Sequence, residues 1–302
     1  MTKEKVKEKF RRFLFDISPK LNVWYGIAVH RRYYRHFLSF KHPVTMDEKL
    51  NVMKLERYKD DPIYTQCADK YAVRQFVQDM GCSEILNDLY YVWDAVDEID
   101  WDKLPDSFVI KWNFGCGQNL IVRDKSKLDR TEAENIIRSW ERLHKTGYKA
   151  YAEMQYRNIK PKLICEKLIE TEDGGAPVDY KVYCFNGKPY VILLCFGRGE
   201  NTHPKFYFVD KKWELQRLNQ SGRDAPEGFS LPQPPGSDKL FEYAEKLAKP
   251  FAFVRTDFYL EKGQVIFGEL TFTPGGAIDY HRLYDTNRLF GDMIDMNYKP
   301  VY

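Results

Sequence analysis

Val254-Arg-Thr-Asp-Phe258 and Phe267-Gly-Glu-Leu-Thr-Phe-Thr-Pro-Gly-Gly276 are the stretches whose reading decides the fold of this 302-residue chain. The turn Glu261-Lys-Gly-Gln264 stands between them, so they read as the two arms of a β-hairpin. Asp257 falls on the first arm and Glu269 on the second, each among apolar neighbours. A carboxylate inside a half-buried strand is costly to desolvate unless a cation or a hydrogen-bond donor meets it. Two of them on adjacent strands point to a hard divalent cation, and Mg²⁺ commonly arrives with phosphate. The competing reading is a surface hairpin with ordinary exposed acids. A two-residue loop pairs Asp257 with Gly268 and turns Glu269 to the wrong face, because side chains alternate along a strand. The expected loop is therefore the three-residue Glu261-Lys262-Gly263, which pairs Asp257 with Phe267. Glu269 then becomes a same-face diagonal neighbour about 7–8 Å away. Thr271 and Thr273 continue that face.

The rest of the chain bounds what such a hairpin could belong to. Composition is that of a globular protein, 43% hydrophobic and 30% charged, with a high aromatic share of 16%. No apolar run approaches the roughly 20 residues of a membrane span, and Met1-Thr-Lys-Glu-Lys lacks the features of a signal peptide. Six cysteines without a CxxC pair suggest reduced thiols in a cytosolic protein, not disulfides or zinc. The net charge of +3 hides a basic arm: residues 1–42 carry eleven Lys/Arg against three Asp/Glu. Val6, Phe10, Phe13, Leu14 and Ile17 form a helical apolar stripe in it. The arm reads first as an amphipathic helix docked on the protein's own core. Peripheral contact with an anionic membrane stays open beside that. No nucleic-acid reader motif accompanies it, so nucleic acid is not an expected partner.

An α+β organisation follows. Residues 1–100 read as mainly helical, with a capping box at Thr45-Met-Asp-Glu48 and a second helix over residues 68–77. From Ser107 strands take over: Phe108-Val-Ile-Lys-Trp112, Leu120-Ile-Val-Arg123, then residues 162–168, 180–185, 189–196 and 206–209. Asn186-Gly187 is a strong hairpin turn, and a helix opens near Thr131 and runs to about residue 145. The Gly/Pro/Ser-rich stretch 219–238 is a loop before a further helix at 239–248.

Several residues carry possible chemistry. Lys111 sits mid-strand beside Val109, Ile110 and Trp112, where lysine is rarely buried unless paired. The loop after it, Asn113-Phe-Gly-Cys-Gly-Gln118, has Gly115 and Gly117 to bring backbone N–H groups close to a phosphate. It is not a P-loop, since it lacks Gly-Lys-Ser/Thr and leads to a strand. Glu166 and Lys167 end an apolar strand, which could put the Glu166 carboxylate on a ribose and the following backbone on an adenine edge. In Val178-Asp-Tyr-Lys-Val-Tyr-Cys184, alternation puts Asp179, Lys181 and Tyr183 on one face, as in a strand solvated on one side, and the same face would also serve a cleft holding nucleotide phosphates. Arg198, between glycines, and Arg255, on the face of Asp257, suit an anion. Cys116 has nothing local to activate it, and the six histidines lack ligand spacing.

This ordered set resembles the ATP-grasp superfamily: Asp69-Lys70, the strand ending in Lys111, the glycine loop, Cys-Glu166-Lys167-Leu-Ile169, Asp179-Tyr-Lys181, Arg-Thr-Asp257 and Glu269-Leu-Thr. The strings MDEKL, ADKYAVR, FNGKP and ELTFTPGG resemble its TupA-like branch, associated with bacterial surface-polysaccharide loci, over about residues 43–295. The resemblance implies two α+β subdomains clasping ATP, a small one at 105–165 and a large one at 166–302. A mainly helical region at 43–104 and the arm at 1–42 precede them. It implies Lys70, Lys111, Gly115 and Gly117 on the phosphates, and Glu166 on ribose. The backbone of Lys167 through Ile169 would meet adenine, with Asp179 in the same cleft. Mg²⁺ would be held by Asp257, Glu269 and Thr271, and Arg198, Arg255 and Lys181 would serve catalysis. Thr271 stands where many ATP-grasp enzymes have Asn. The implied activity is an ATP- and Mg²⁺-dependent carboxylate–amine ligase working through an acyl-phosphate in capsule, teichuronopeptide or O-antigen synthesis. Its implied setting is the cytoplasm, with glycosyltransferases as pathway partners. The alternatives are a glycan kinase on the same fold and a non-catalytic nucleotide-binding partner.

Overall fold

A computed structural model describes residues 3–29, 38–169, 177–196 and 205–299. Arg198, the loop at 198–203 and Tyr33-Tyr34 lie outside the described residues. Two antiparallel sheets organise the rest. The smaller has the order β1-β4-β2-β3, from β1 (Leu89–Trp93), β2 (Phe108–Trp112), β3 (Asn119–Val122) and β4 (Leu163–Glu166). The larger has the order β10-β9-β5-β6-β7-β8. Its strands are β5 (Asp179–Phe185), β6 (Lys188–Phe196), β7 (Lys205–Val209), β8 (Leu215–Gln216), β9 (Phe253–Glu261) and β10 (Gln264–Thr271).

The helices are α1 (Lys3–Ile17), α2 (Pro19–Val29), α3 (Met46–Glu56), α4 (Pro62–Ala68), α5 (Val73–Asp79), α6 (Arg130–Glu141), α7 (Gln220–Arg223), α8 (Asp238–Ala248) and α9 (Tyr284–Met293). Among the described residues none is long and apolar enough to cross a membrane. The larger core lies on the big sheet, where α8 buries Leu240, Phe241, Ala244 and Leu247. A second core under the small sheet gathers Trp112, Phe108, Ile110 and Ile137.

Several expected features are present. The capping box opens α3 in full, with Thr45 and Glu48 each bonding the other's backbone. Asn186 and Gly187 take positive φ, 48° and 76°, as a type I′ hairpin turn requires. All six cysteines are free thiols.

Four local expectations are corrected. The helix expected over 68–77 is broken: Asp69 is extended, and its carboxylate accepts from the backbone N–H groups of Tyr71 and Ala72 at 2.8 and 3.1 Å. A short acidic side chain that offers the backbone an alternative partner competes with the helix. Leu89–Trp93, inside the stretch expected to be mainly helical, is an edge strand of the small sheet. The helix expected to open near Thr131 starts one residue earlier, capped by Asp129, and ends at Glu141. Strand β5 is buried along nearly its whole length: α8 packs on the sheet there, and Tyr183 on the other side of the strand meets Phe290 of α9.

The deciding hairpin also differs from expectation. Its loop is the two-residue Lys262-Gly263, both at positive φ (50° and 79°), and Glu261 pairs with Gln264. That register alone would face Gly268 toward Asp257. A β-bulge between Phe267 and Glu269 absorbs one residue, so Glu269 pairs directly with Asp257. A Cβ at Gly268 would stand 2.9 Å from the Asp257 carbonyl oxygen, so glycine is the residue that fits the bulge. Strand β10 thus brings its carboxylate to Asp257 by a different route from the one expected.

Candidate active site

The site is built around β9. Asp257 is 3% exposed, and its carboxylate is gripped by Arg255 through Nε and an Nη, at 2.7 and 2.6 Å, and by Lys181 of β5 at 2.6 Å. Lys181 and Asp257 are direct cross-strand partners, and Arg255 lies two residues from Asp257 on the same face. Burial works to raise the Asp257 carboxyl, but the two cations outweigh it and hold the group below the usual carboxylate range. The same charge holds Arg255 above its ordinary value despite burial.

Glu269 is different. It is about a third exposed, and its nearest cations are Lys70 at 3.8 Å and Arg255 at 3.9 Å. The Thr271 hydroxyl donates to it at 3.2 Å and accepts from Arg255 at 3.1 Å. The three residues expected at a metal therefore do come together, with one carboxylate engaged and one open. Lys181 also reaches Asp179 at 3.5 Å, which brings that residue to the rim of the cluster.

The small sheet approaches from the other side. Lys70 follows the Asp69 turn, and Asn113 at the end of β2 holds that turn by donating to the second Asp69 oxygen at 2.8 Å. From there the Lys70 ammonium donates to the Gly115 carbonyl and faces Glu269 across the gap. Burial pushes the Lys70 ammonium below its ordinary pKa, against the attraction of Glu269. Gly115 and Gly117 both take positive φ, 73° and 78°, a backbone that glycine adopts without strain.

Lys111, expected on the phosphates, and Glu166, expected on the ribose, meet each other. They form an ion pair of 2.6 Å across neighbouring strands, and Arg74 of α5 stands 3.7 Å from the other Glu166 oxygen. A phosphate and a ribose could take these groups only by exchanging for one another. Of the backbone expected on adenine, the N–H of Lys167 is spent on the Asp88 carbonyl and its C=O on the Asn87 amide. Leu168 and Ile169 are the rest of that expected stretch.

A cavity of about 710 Å³ opens beside the cluster, lined by Arg255, Glu269, Thr271, Gly115 and Glu153 and closed on one side by α1. Its volume is in the range of ligand pockets. Beneath it lies a group that sequence reasoning missed. Lys54 of α3 is buried and donates to the carbonyls of Tyr151 and Gly276, and the Thr273 hydroxyl donates to Glu153 at 2.6 Å. Burial pushes the Lys54 ammonium down to about 7 and raises the Glu153 carboxyl. The Thr-Pro-Gly-Gly turn makes this possible: a Cβ on Gly276, at φ 68°, would meet the Tyr151 ring at 2.6 Å. A lysine between Met53 and Leu55 was the available signal, as was an arginine at 74 in an amphipathic helix.

A family model for TupA-like ATPgrasp matches residues 48–295, most of the chain. The chain belongs to this family. Its fold is therefore the ATP-grasp fold, of α+β class, preceded by helices. No curated protein matches it. Solved structures similar to this ATP-grasp chain include the D-alanine–D-alanine ligase of Bacillus anthracis in complex with ATP, 15% identical with a TM-score of 0.42 over 75% of this chain. This chain spans 66% of that ligase's length. The D-cycloserine synthetase DcsG is 13% identical with a TM-score of 0.45, covering 89% of this chain and 80% of its own. The ATP-grasp ligase PsnB, complexed with a minimal precursor, is 10% identical with a TM-score of 0.41 over 76% of this chain and 61% of its own.

Proposed function

We propose that this ATP-grasp chain is an Mg²⁺- and ATP-dependent ligase joining a carboxylate to an amine in the synthesis of a bacterial surface polysaccharide. The observation that carries the reading is the direct pairing of Glu269 with Asp257, with Lys70 reaching toward them from the opposite sheet. ATP-grasp enzymes use ATP, and the family membership supports ATP as the nucleotide.

The residues fit a magnesium ion that comes with phosphate. Among the described residues no group of three or more His, Cys, Asp and Glu could hold a metal by itself. Mg²⁺ usually needs only one or two carboxylates when phosphate oxygens complete its shell. Glu269, with Thr271 beside it, would hold the ion, and Asp257 would join as it gives up a cation. Bound there, the ion would neutralise charge on the transferring phosphoryl group.

The chain's own groups supply the rest. Lys70 and the N–H groups around Gly115 and Gly117 orient the phosphates, and Lys111 leaves Glu166 for phosphate as Glu166 takes the ribose. The substrate carboxylate oxygen attacks the γ-phosphorus, ADP leaves, and an acyl-phosphate forms. The amine then attacks the acyl carbon, phosphate departs, and the amine loses a proton. Arg255 and Lys181, freed from Asp257, meet the anionic oxygens that develop. Positioning and charge neutralisation account for this chemistry without a side-chain nucleophile. Arg198, a further anion-binding candidate, belongs to the same proposal, as do a role at the inner face of the membrane and glycosyltransferases as pathway partners.

Phosphate release measured across uronic acids and amino acids, in pairs, tests the reading. Release that requires both an acid and an amine, and that Lys111→Ala and Glu269→Ala abolish, is the expected result. Release that survives both substitutions overturns the site. Phosphate retained on a sugar hydroxyl overturns the ligase chemistry in favour of a kinase.

A further inference from the structure

The N-terminal hairpin has two faces with different surroundings. Helix α1 turns Lys7, Glu8, Arg11 and Arg12 toward the catalytic cavity, and α2 packs Val23 and Ile27 against Leu38, Leu55 and Ile278. Arg11 is the anchor: it is 7% exposed, donates to the Ala150 carbonyl at 2.6 Å and to Asn22 at 3.1 Å, and lies 4.4 Å from the centre of the Tyr151 ring. Gly26 gives it room, since a Cβ there would stand 2.6 Å from the guanidinium. The arm therefore docks on the protein, as expected, but not through its apolar stripe.

That stripe faces out. Val6, Phe10, Phe13 and Ile17 recur at i, i+4, i+7 and i+11, one side of a helix, and are 44–59% exposed. At 3.6 residues per turn the stripe is centred about 90° round the helix from Lys7 and about 130° from Arg11. Leu21 and Trp24 add 43% and 49% exposed side chains on α2, and Phe10 touches Tyr25 edge-to-face at 5.0 Å. Among the described residues, seven of the fifteen exposed large hydrophobic side chains fall between Val6 and Val29. Scattered singly such residues need no explanation, but concentrated like this they mark an interaction surface. Lys5, Lys9 and Lys20 are exposed in the same hairpin, whose described residues hold seven Lys/Arg and three Asp/Glu.

We infer that the outward face of the α1–α2 hairpin lies on an anionic lipid bilayer and holds the chain, with the cavity that α1 helps to line, at that surface, where a membrane-held glycan acceptor is presented. The charge selects this occupant. A second copy of the hairpin would set one basic face against another, whereas anionic headgroups complement it. Aromatic rings enter the headgroup boundary while lysine stems lie along it with their ammonium groups in water. The delivery of an acceptor rests on the ligase reading; the bilayer contact does not.

The test is co-sedimentation of the full chain with phosphatidylcholine vesicles, with and without about 30% phosphatidylglycerol, at low salt and at about 0.5 M salt. Binding is expected to the anionic vesicles alone, to weaken at high salt, and to fall about tenfold or more in Phe13→Glu/Ile17→Glu. Lys5→Gln/Lys9→Gln is expected to weaken it less. Should the glutamate pair misfold by circular dichroism, Phe13→Gln replaces it. Equal binding to neutral vesicles, no binding to either, or binding unchanged by loss of the aromatic and aliphatic groups overturns the inference. So does a concentration-dependent dimer that Phe13→Gln dissolves, which assigns the face to a second copy. Glu269→Ala is expected to bind vesicles like the parent, so failure of the ligase reading and failure of this one are separable.

Discussion

The small sheet and the large sheet each hold a nearly buried carboxylate against cations, and they do so to different degrees. Glu166 has one close partner, Lys111 at 2.6 Å, and a second, Arg74, at 3.7 Å. Asp257 has three charge-assisted hydrogen bonds of 2.6–2.7 Å from two cations, both from its own sheet. Charge-assisted bonds with this geometry are the strong ones. The difference suggests a division of labour. The Glu166 pair can open for a nucleotide at modest cost, whereas the Asp257 cluster is the more firmly held platform, yielding its cations only as the ion and the phosphates arrive, and Glu269 beside it supplies the open ligand.

The sharpest way to break this contrast is Asp257→Ala. It leaves Arg255 and Lys181 buried without their counter-charge, and should cost about 3–5 kcal/mol in urea unfolding. Glu269→Ala should do the opposite, lowering kcat about 100-fold through lost charge stabilisation while the unfolding midpoint barely moves. If Glu269→Ala proves as destabilising as Asp257→Ala, the distinction between platform and open ligand fails. Gly268→Ala probes the bulge that aligns the two carboxylates. Its Cβ must displace the Asp257 carbonyl, with an expected loss of about 1–3 kcal/mol and a matching fall in turnover. Lys111→Met should cost less than Asp257→Ala, about 1–2 kcal/mol, because Arg74 remains beside Glu166.

The smallest effect is in pH. Asp257 is held below its ordinary value of 3.8, so in the folded state it binds protons less readily than in the unfolded chain. Its stabilising contribution is complete above that value and is lost as pH falls through the lower folded one. The stability of the parent should therefore fall more steeply than that of Asp257→Asn below pH 3.8, as read from urea midpoints.

Much of this was legible in sequence because it is local. The capping box at Thr45, the Asn186-Gly187 turn, the carboxylates of the deciding hairpin and the glycine loop are each set by a few neighbouring residues. The hairpin register was not legible, for two local reasons that cancel. Lys262 takes a left-handed conformation that lysine seldom adopts, and Gly268 hides a bulge that pattern reading treats as an ordinary strand position. The remaining surprises are matters of tertiary partnership. Nothing near Lys111 says that it meets Glu166 across strands, nothing near Arg11 says that it seats the N-terminal helix, and Lys54 meets its carbonyl acceptors some hundred or more positions away.

Gly268 acts as a phase shifter. Upstream of it, β10 keeps time with the hydrophobic beat of Phe267 and Val265; downstream, the beat is offset by one, and Glu269 and Thr271 turn with it. An ordinary pairing at Gly268 would set the glycine against Asp257 and swing the acid to the other face, whereas deleting Gly268 would leave Glu269 opposite its counterpart. One side-chain-free position thus sets which face carries the acid and which the buried Leu270, as the clutch between the two halves of the strand.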